Sequence, residues 1–389
     1  MKESQTQKNL LQTKATDVCK DFFNHKISHQ SPDNIIDHQF ASEGIKRVES
    51  FLFESFLKER LKRDIEDCGI VLSFGWFLGF NKYGIPSYWF RFQEHKDDWN
   101  EADEYLVQII SESNETSSSS KPTIQRILFI ENHNSYKAQS YANKNWSHPI
   151  DLITALNALL LKRRSGELRN IKKDHFDDSR FKIASKWMKK SNFSKQIESL
   201  SIQRRLINCY IVPNLNSQIV DLDAIILTPD KKISCLEFKR KYPAKQNKTF
   251  GLDTHPHIGL IKHFAHYSIR IRHLILVPPD WNKDTSPLSM LDDEIGKTLW
   301  HWLAVNLSES CIGITKMNTN GEDSGQSGEN RAQYNIVWDA VHIINHGIKI
   351  TTEGRVRLLN FLATGDTTNL PKASYSYLDK KRRKTTLQR

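Results

Sequence analysis

The sequence has no long hydrophobic run. Its longest apolar-dominated stretch, residues 70–80, is about half the length that a membrane-spanning helix needs. The first residues, MKESQTQKNLLQTKATD, contain no apolar stretch of the kind that follows the charges of a secretory signal. We therefore expect a cytoplasmic protein that makes no contact with a membrane.

Cysteine is scarce, and several common catalytic motifs are missing. The 5 cysteines are scattered and form no CxxC pair, which argues against a zinc knuckle or a disulfide framework. The chain also contains no GxxxxGKS or GxGxxG phosphate-binding loop, no GxSxG nucleophile elbow and no HExxH zinc motif. These absences argue against the enzyme classes that depend on those motifs.

Positive charge, by contrast, is in excess. The 389 residues include 56 Lys and Arg against 45 Asp and Glu, which gives a formal net charge of +11. A basic protein attracts polyanions, of which nucleic acid is the commonest, although it can also be basic without any such partner. With 38% hydrophobic and 26% charged residues, the composition is that of a globular protein with two to three domains.

The most informative segment runs from Asn192 to Asp280. Its apolar patterning predicts a helix, two strands joined by a turn at 228–231, a second helix and a buried strand. In the same order, these elements are expected at Phe193–Cys209, Val220–Leu227, Ile233–Lys239, His257–Tyr267 and His273–Val277.

Charged residues interrupt the two apolar strands of this segment. Asp223 lies in VDLDAIIL, and Glu237 and Lys239 flank Phe238 in CLEFK. Because side chains alternate along a strand, Glu237 and Lys239 face the same side, and the turn brings Asp223 alongside them. Two buried carboxylates repel unless a cation lies between them, and Mg²⁺ or Mn²⁺ accepts such oxygen ligands. Asp221, which has the same strand parity, is an alternative first carboxylate.

This arrangement resembles the PD-(D/E)xK nuclease superfamily over roughly 90 of the 389 residues. The resemblance implies an α/β protein with a restriction-endonuclease-like core, in which helices flank a mixed central sheet. It implies that Asp223 and Glu237 bind the metal, that Lys239 is the motif lysine, and that Glu198 is the glutamate many members carry on the preceding helix. The chain departs from the family by having Leu222 where a proline often precedes the aspartate.

Basic residues surround the motif. Between 231 and 248 there are seven of them and one acid, Glu237, so nucleic acid should be attracted there, unless the segment is simply a solvated loop. The resemblance also implies a polar residue on the following helix, which either Lys262 or His263 could match. The predicted nucleic-acid contacts are Lys231, Lys232, Arg240, Lys241, Lys245, Lys248, Lys262 and His263. Five histidines between His255 and His273 leave a separate transition-metal site as an alternative.

Together these features predict a Mg²⁺- or Mn²⁺-dependent endonuclease acting on DNA, with a restriction, mobile-element or defence role. The alternative is an inactive nucleic-acid-binding or protein-interaction module. We expect a poorly ordered or peripheral segment at 1–45, an α+β domain at 46–165 for substrate or protein partners, a nuclease-like domain at 190–360 and a basic tail at 361–389. A helix is expected at Leu299–Leu307. The oligomeric state is left open.

Overall fold

A computed structural model of the chain describes residues 45–65, 67–81, 85–112, 122–131, 135–159, 178–189, 193–211, 219–282, 284–320 and 330–383. The peripheral segment predicted at the N-terminus lies outside these ranges except for its last residue. In the described ranges, no helix is both long and apolar enough to cross a lipid bilayer.

Ten α-helices occur in the described part of the chain. They are α1 (Ile45–Asp64), α2 (Glu101–Glu112), α3 (Leu152–Ala158), α4 (Asp178–Met188), α5 (Phe193–Arg205), α6 (Gly259–His266), α7 (Pro287–Asp292), α8 (Glu294–Thr298), α9 (Thr352–Thr364) and α10 (Tyr375–Lys381).

Sixteen β-strands accompany these helices in the same ranges. They are β1 (Val71–Ser73), β2 (Trp76–Phe80), β3 (Pro86–Gln93), β4 (Thr123–Ile130), β5 (Ser135–Ala142), β6 (Asn145–Trp146), β7 (Ile150–Asp151), β8 (Ile219–Leu222), β9 (Ala224–Leu227), β10 (Ile233–Arg240), β11 (Phe250–Asp253), β12 (Arg270–Val277), β13 (His301–Leu307), β14 (Ile312–Asn320), β15 (Asn330–Ile336) and β16 (His342–His346).

The chain folds into two units that interleave in sequence. As far as they are described, the N-terminal unit comprises Met1–Ser55, Gly75–Asn100 and Ile110–Asp221, and the C-terminal unit comprises Phe56–Phe74, Glu101–Ile109 and Leu222–Arg389. The sequence predicted continuous domains at 46–165 and 190–360 instead. Local patterning could not reveal the exchange, because β1 pairs with β9, more than a hundred residues later.

The N-terminal unit is built on a sheet of seven strands in the order β6-β5-β4-β3-β2-β8, with β7 added beside β5. The sheet is mixed, since β3 and β4 run parallel whereas β2 and β3 form an antiparallel hairpin. Most aromatic residues of this hairpin are buried, and Trp76 and Trp89 are completely buried. Burial of such large side chains provides much of the driving force for folding this unit.

The C-terminal unit contains a six-stranded sheet in the order β1-β9-β10-β12-β13-β16 and a three-stranded sheet in the order β11-β15-β14. The larger sheet is also mixed: β10 and β12 are parallel, and its other neighbouring pairs are antiparallel. Helix α6 packs on β12 and α9 packs on β16. The protein is therefore a mixed α/β protein whose sheets are flanked by helices.

Two local predictions were wrong. The segment expected to be a helix at Leu299–Leu307 forms strand β13 instead, because its apolar residues are buried between β12 and β16. The expected basic tail is folded from 361 to 383. Helix α9 ends at a left-handed Gly365, and α10 begins at the cap residue Ser374, whose hydroxyl accepts from the Tyr377 amide.

Candidate active site

The two predicted metal-binding acids lie at neighbouring positions of the β9–β10 hairpin. Ala224 is paired with Leu236, so extending the antiparallel register by one residue sets Asp223 opposite Glu237. Strand pairing stops at Asp223, whose Oδ2 accepts a hydrogen bond from the Phe238 amide at 2.5 Å. Only 5% of Asp223 and 7% of Glu237 is exposed. The hairpin thus holds two buried carboxyl groups on adjacent strands.

The carboxylate of Glu237 has two cationic or polar neighbours. Its Oε1 lies 2.6 Å from Nζ of Lys239 and 3.3 Å from Nε2 of His257. The Lys239 side chain is 44% exposed, so its ammonium also meets solvent. His257 comes from a π-helical turn at Thr254–Ile258, between β11 and α6. The predicted ExK pair is therefore an ion pair with one end buried and the other open to solution.

Electrostatics keep Glu237 ionised despite its burial. Burial alone would raise the pKa of this carboxyl, but the Lys239 ammonium and the hydrogen bond and charge of His257 outweigh it, so the pKa lies well below its usual value. This carboxylate therefore stays ionised, and able to bind a cation, at lower pH than an ordinary glutamate.

A neutral histidine lies behind Glu237. His273 is the parallel-strand neighbour of Glu237, and its Nδ1 lies 3.2 Å from the Glu237 carbonyl oxygen. Burial and, to a smaller extent, the nearby cations lower the pKa of His273 to about 3, against the opposing effect of Glu237. A neutral ring with its proton on Nδ1 donates to that carbonyl, so His273 fixes the strand backbone at the site.

Lys241 extends the polar network into the protein. Its ammonium donates to the Gly251 carbonyl, and burial lowers its pKa, with Asp253 opposing and Lys239 adding to that effect. Asp253 in turn accepts a hydrogen bond of 2.6 Å from Gln333. Lys241 was predicted to contact nucleic acid, but its head group is engaged inside the C-terminal unit.

The other basic residues predicted to bind nucleic acid fall into two groups along β10. Lys231 and Lys232 are at the hairpin turn, about 16 Å along the strand from Glu237, and they form ion pairs with Glu101 and Asp230 respectively. The second group lies at the C-terminal end of β10 and in the segment after it. It consists of the half-buried Arg240, which ends the strand, and the exposed Lys245 and Lys248. Only the second group lies at the Glu237 end of β10.

The remaining candidates lie on other elements. Glu198 is on α5 of the N-terminal unit, where its charge adds to the effect of burial in raising the pKa of Glu94. Asp221 is on β8, in the sheet of the same unit. On α6, exposed Lys262 has its Nζ 3.9 Å from Glu309, and burial lowers the pKa of His263 to about 4.

Sequence reasoning did not assign His257 to Glu237. It placed His257 in a loose histidine cluster and left a transition-metal role for that cluster open. The pairing depends on a turn that β11 positions through its contacts with β15, and no local pattern indicates such a contact. The side chain of His255, the neighbouring member of the cluster, lies outside the described side chains.

The donor chemistry at the hairpin suits a hard divalent cation. Asp223 and Glu237 provide carboxylate oxygens, which are the ligands that Mg²⁺ and Mn²⁺ prefer. Among the residues that the structure describes, no cluster of three or more His, Cys, Asp or Glu side chains has the spacing of a metal site. Any such ion would complete its coordination with water, as Mg²⁺ commonly does.

Comparison with known proteins gives no relative. No family model matches the chain, and no curated protein or solved structure is significantly similar to it.

Proposed function

We propose that the protein is a metal-dependent nuclease that hydrolyses phosphodiester bonds of DNA, with a core of the restriction-endonuclease-like PD-(D/E)xK type. One observation carries the proposal. Two buried carboxylates lie on adjacent strands of the β9–β10 hairpin, and one of them is paired at 2.6 Å with a lysine that reaches solvent. A buried acid pair is costly unless a cation compensates it, and the exposed amine marks the side from which a substrate would approach.

Asp223 and Glu237 would hold the ion, Mg²⁺ or Mn²⁺. When bound, such an ion supplies positive charge to the phosphate oxygens and lowers the pKa of a coordinated water. Both functions require ionised ligands, and the low pKa of Glu237 provides one of them.

Lys239 has the electrostatic role in this proposal. Its ammonium is half-exposed next to a buried carboxylate, so it can face both the ligand Glu237 and an incoming phosphate. Fixed positive charge at this position stabilises the negative charge that develops on the phosphoryl oxygens. His257, hydrogen-bonded to Glu237, is a positioning residue that restricts the rotation of the carboxylate.

The overall charge of +11 supports a nucleic-acid substrate, because a basic protein accelerates encounter with a polyanion. DNA and a restriction, mobile-element or defence role come from the family resemblance. The cytoplasmic location expected from the sequence belongs to the same proposal.

A plasmid-cleavage assay tests this function. Supercoiled DNA is incubated with the purified chain in Mg²⁺, in Mn²⁺ and in EDTA, and nicked or linear product is measured. We expect cleavage only with the divalent ions, and we expect Glu237→Ala to abolish it while DNA binding persists. Lys349→Ala, which changes an exposed lysine of the same unit, is the control and should cut normally.

Binding of plasmid without cleavage under all these conditions would refute the nuclease proposal. It would instead support the alternative, an inactive nucleic-acid-binding module. Cleavage by Glu237→Ala at the wild-type rate would show that the reaction, if present, occurs elsewhere in the chain.

A further inference from the structure

Two strongly basic segments that are distant in sequence meet in the C-terminal unit. Residues 240–248 contain four basic residues and no acid, and residues 380–383 are all basic. Between them lie aromatic rings. We call the following group the aromatic–basic surface: Tyr242, Lys248, Trp281, Tyr375 and Arg382.

Trp281 is the centre of this surface. It is 3% exposed, and Tyr242 stacks on it with 6.1 Å between ring centroids and an interplanar angle of 6°. Tyr375 contacts it edge-on at 5.8 Å, and the Arg382 guanidinium lies 4.9 Å from its centroid. Lys248 completes the group, with Nζ 5.6 Å from the Tyr375 ring. Tyr242 and Tyr375 are only half-buried, so their rings are partly available.

Both basic segments are held in place by backbone contacts. The Lys248 carbonyl accepts from Nε1 of Trp338 at 2.9 Å, and its amide donates to Ala244 at 2.8 Å. These bonds keep Lys248 at φ +51°, a left-handed conformation that is strained for a lysine. On the other side, the Arg383 amide donates to the Pro279 carbonyl at 2.7 Å. The surface is therefore a fixed structure.

The surface begins where the candidate active site ends. Tyr242 follows Lys239 by three residues, which corresponds to about 10 Å of extended chain. The Lys241 amide bonds to the Leu276 carbonyl at 3.0 Å, so the segments leading to Tyr242 and Trp281 leave the sheet side by side. A strand of nucleic acid on this surface would lie within one or two nucleotides of Glu237 and Lys239.

The chemistry of the surface favours one class of ligand. Arg382 is paired with Asp379 at 2.7 Å. Among the residues that the structure describes, no carboxylate forms an ion pair with Lys248 or the nearby Lys245, so positive charge accumulates at these lysines and would attract a polyanion. Partly open aromatic rings next to lysines are typical of single-strand binding, where bases stack on the rings and phosphates contact the cations. In a duplex the base faces are already stacked and cannot use such rings.

We propose that the aromatic–basic surface binds single-stranded nucleic acid and directs an unpaired strand toward Lys239. This inference extends the nuclease proposal, and the role given to the surface in cleavage rests on that proposal. The preferred substrate would then be DNA with an unpaired region, such as an end, a flap or a bubble.

Binding can be measured without cleavage, in EDTA, by fluorescence anisotropy. The probes are a labelled single-stranded oligonucleotide and a duplex of the same length. We expect Tyr375→Leu to weaken single-strand binding by about ten-fold, and Tyr375→Phe, which keeps the ring, to change it by less than about two-fold. Duplex binding should change little in both variants. Circular dichroism shows whether each variant is folded.

Lys248→Ala provides a second test at an exposed position. It should reduce the dependence of log affinity on log salt by about 0.7, the amount expected for one phosphate contact on a single strand. Lys349→Ala is the matched control, since this exposed lysine of the same unit is not part of the aromatic–basic surface. It should leave the salt dependence unchanged.

Equal affinity for the two probes, together with unchanged binding by Tyr375→Leu and Lys248→Ala, would overturn this proposal. If the protein cleaves intact duplex and shows no single-strand preference, the single-strand proposal is refuted and the nuclease proposal is supported. If the protein binds single strands through Tyr375 and never cleaves, the nuclease proposal is refuted and the single-strand proposal is supported.

Discussion

Acid should destabilise the C-terminal unit through its buried histidines. Burial lowers the pKa of His263 and His301 to about 4 and that of His273 to about 3, against an ordinary value of 6.5. Between the lowered pKa values and the ordinary value, the unfolded chain binds more protons than the folded chain does. Stability therefore rises with pH in this window and falls as the pH is lowered.

The expected loss is large. One pKa unit corresponds to about 1.4 kcal/mol, so each of these histidines should cost about 2 kcal/mol of stability between about pH 7.5 and about pH 5. The three together give about 6 kcal/mol, which is comparable with the total stability of about 5–15 kcal/mol of a typical folded protein. Carboxyl groups titrate mainly below this window, so their protonation changes the expected loss of stability little.

This loss is measured by urea unfolding at several pH values. Hydrogen exchange of the β12 and β13 peptides monitors the unfolding of the C-terminal unit. His301→Phe keeps an aromatic ring against Tyr377 and should make the loss smaller by about 2 kcal/mol. His148→Gln changes an exposed histidine of the other unit and is the control. A wild-type midpoint that does not move with pH, or a His301→Phe protein with the full wild-type pH dependence, would refute the burial argument.

Three further predictions concern the hairpin. Lys239→Ala should slow plasmid nicking by about 10²–10³-fold, because it removes a fixed positive charge. Lys239→Arg, which keeps the charge, should retain part of the rate. Equal rates in the wild type and both variants would contradict this role of Lys239. Asp223→Asn should raise the Mg²⁺ concentration needed for half-maximal nicking, whereas the same effect from Asp221→Asn alone would identify Asp221 as the ligand. His257→Gln keeps a hydrogen-bonding group but loses the positive charge that lowers the pKa of Glu237. The pKa of Glu237 should therefore rise, and the acid limb of the pH–rate profile should move to higher pH. An unmoved limb would exclude an effect of His257 on Glu237.

The sequence predicted most of the elements around the motif. The helix at 193–209, the second hairpin strand and the strand ending at Val277 occur within a few residues of their expected positions. The strand expected at Val220–Leu227 is instead divided at Asp223 into β8 and β9, which belong to different sheets. These elements are short-range features, because the alternation of apolar residues and the Pro229-Asp230 turn are visible in the local sequence. The class of mixed sheets flanked by helices was expected from the resemblance of the motif to the nuclease superfamily.

Long-range contacts limited the rest. The segment at 301–307 is apolar on both faces, and only its position between β12 and β16 makes it a strand rather than a helix. The folding of the basic C-terminal residues onto Trp281 is equally non-local. At the site, the nearness of Asp223 to Glu237 was predictable from the hairpin, whereas the partner His257 and the inward position of Lys241 depended on β11 and its neighbours.

The most direct test of the central claim is the position of a bound cation. Crystals of the protein soaked in Mn²⁺ would give an anomalous signal for the ion. We predict a peak about 2 Å from oxygen atoms of both Asp223 and Glu237, with water completing the coordination, and we predict that Glu237→Gln removes it. A saturating Mn²⁺ soak that leaves the hairpin without a peak, or one that places the ion on other residues, would contradict the account.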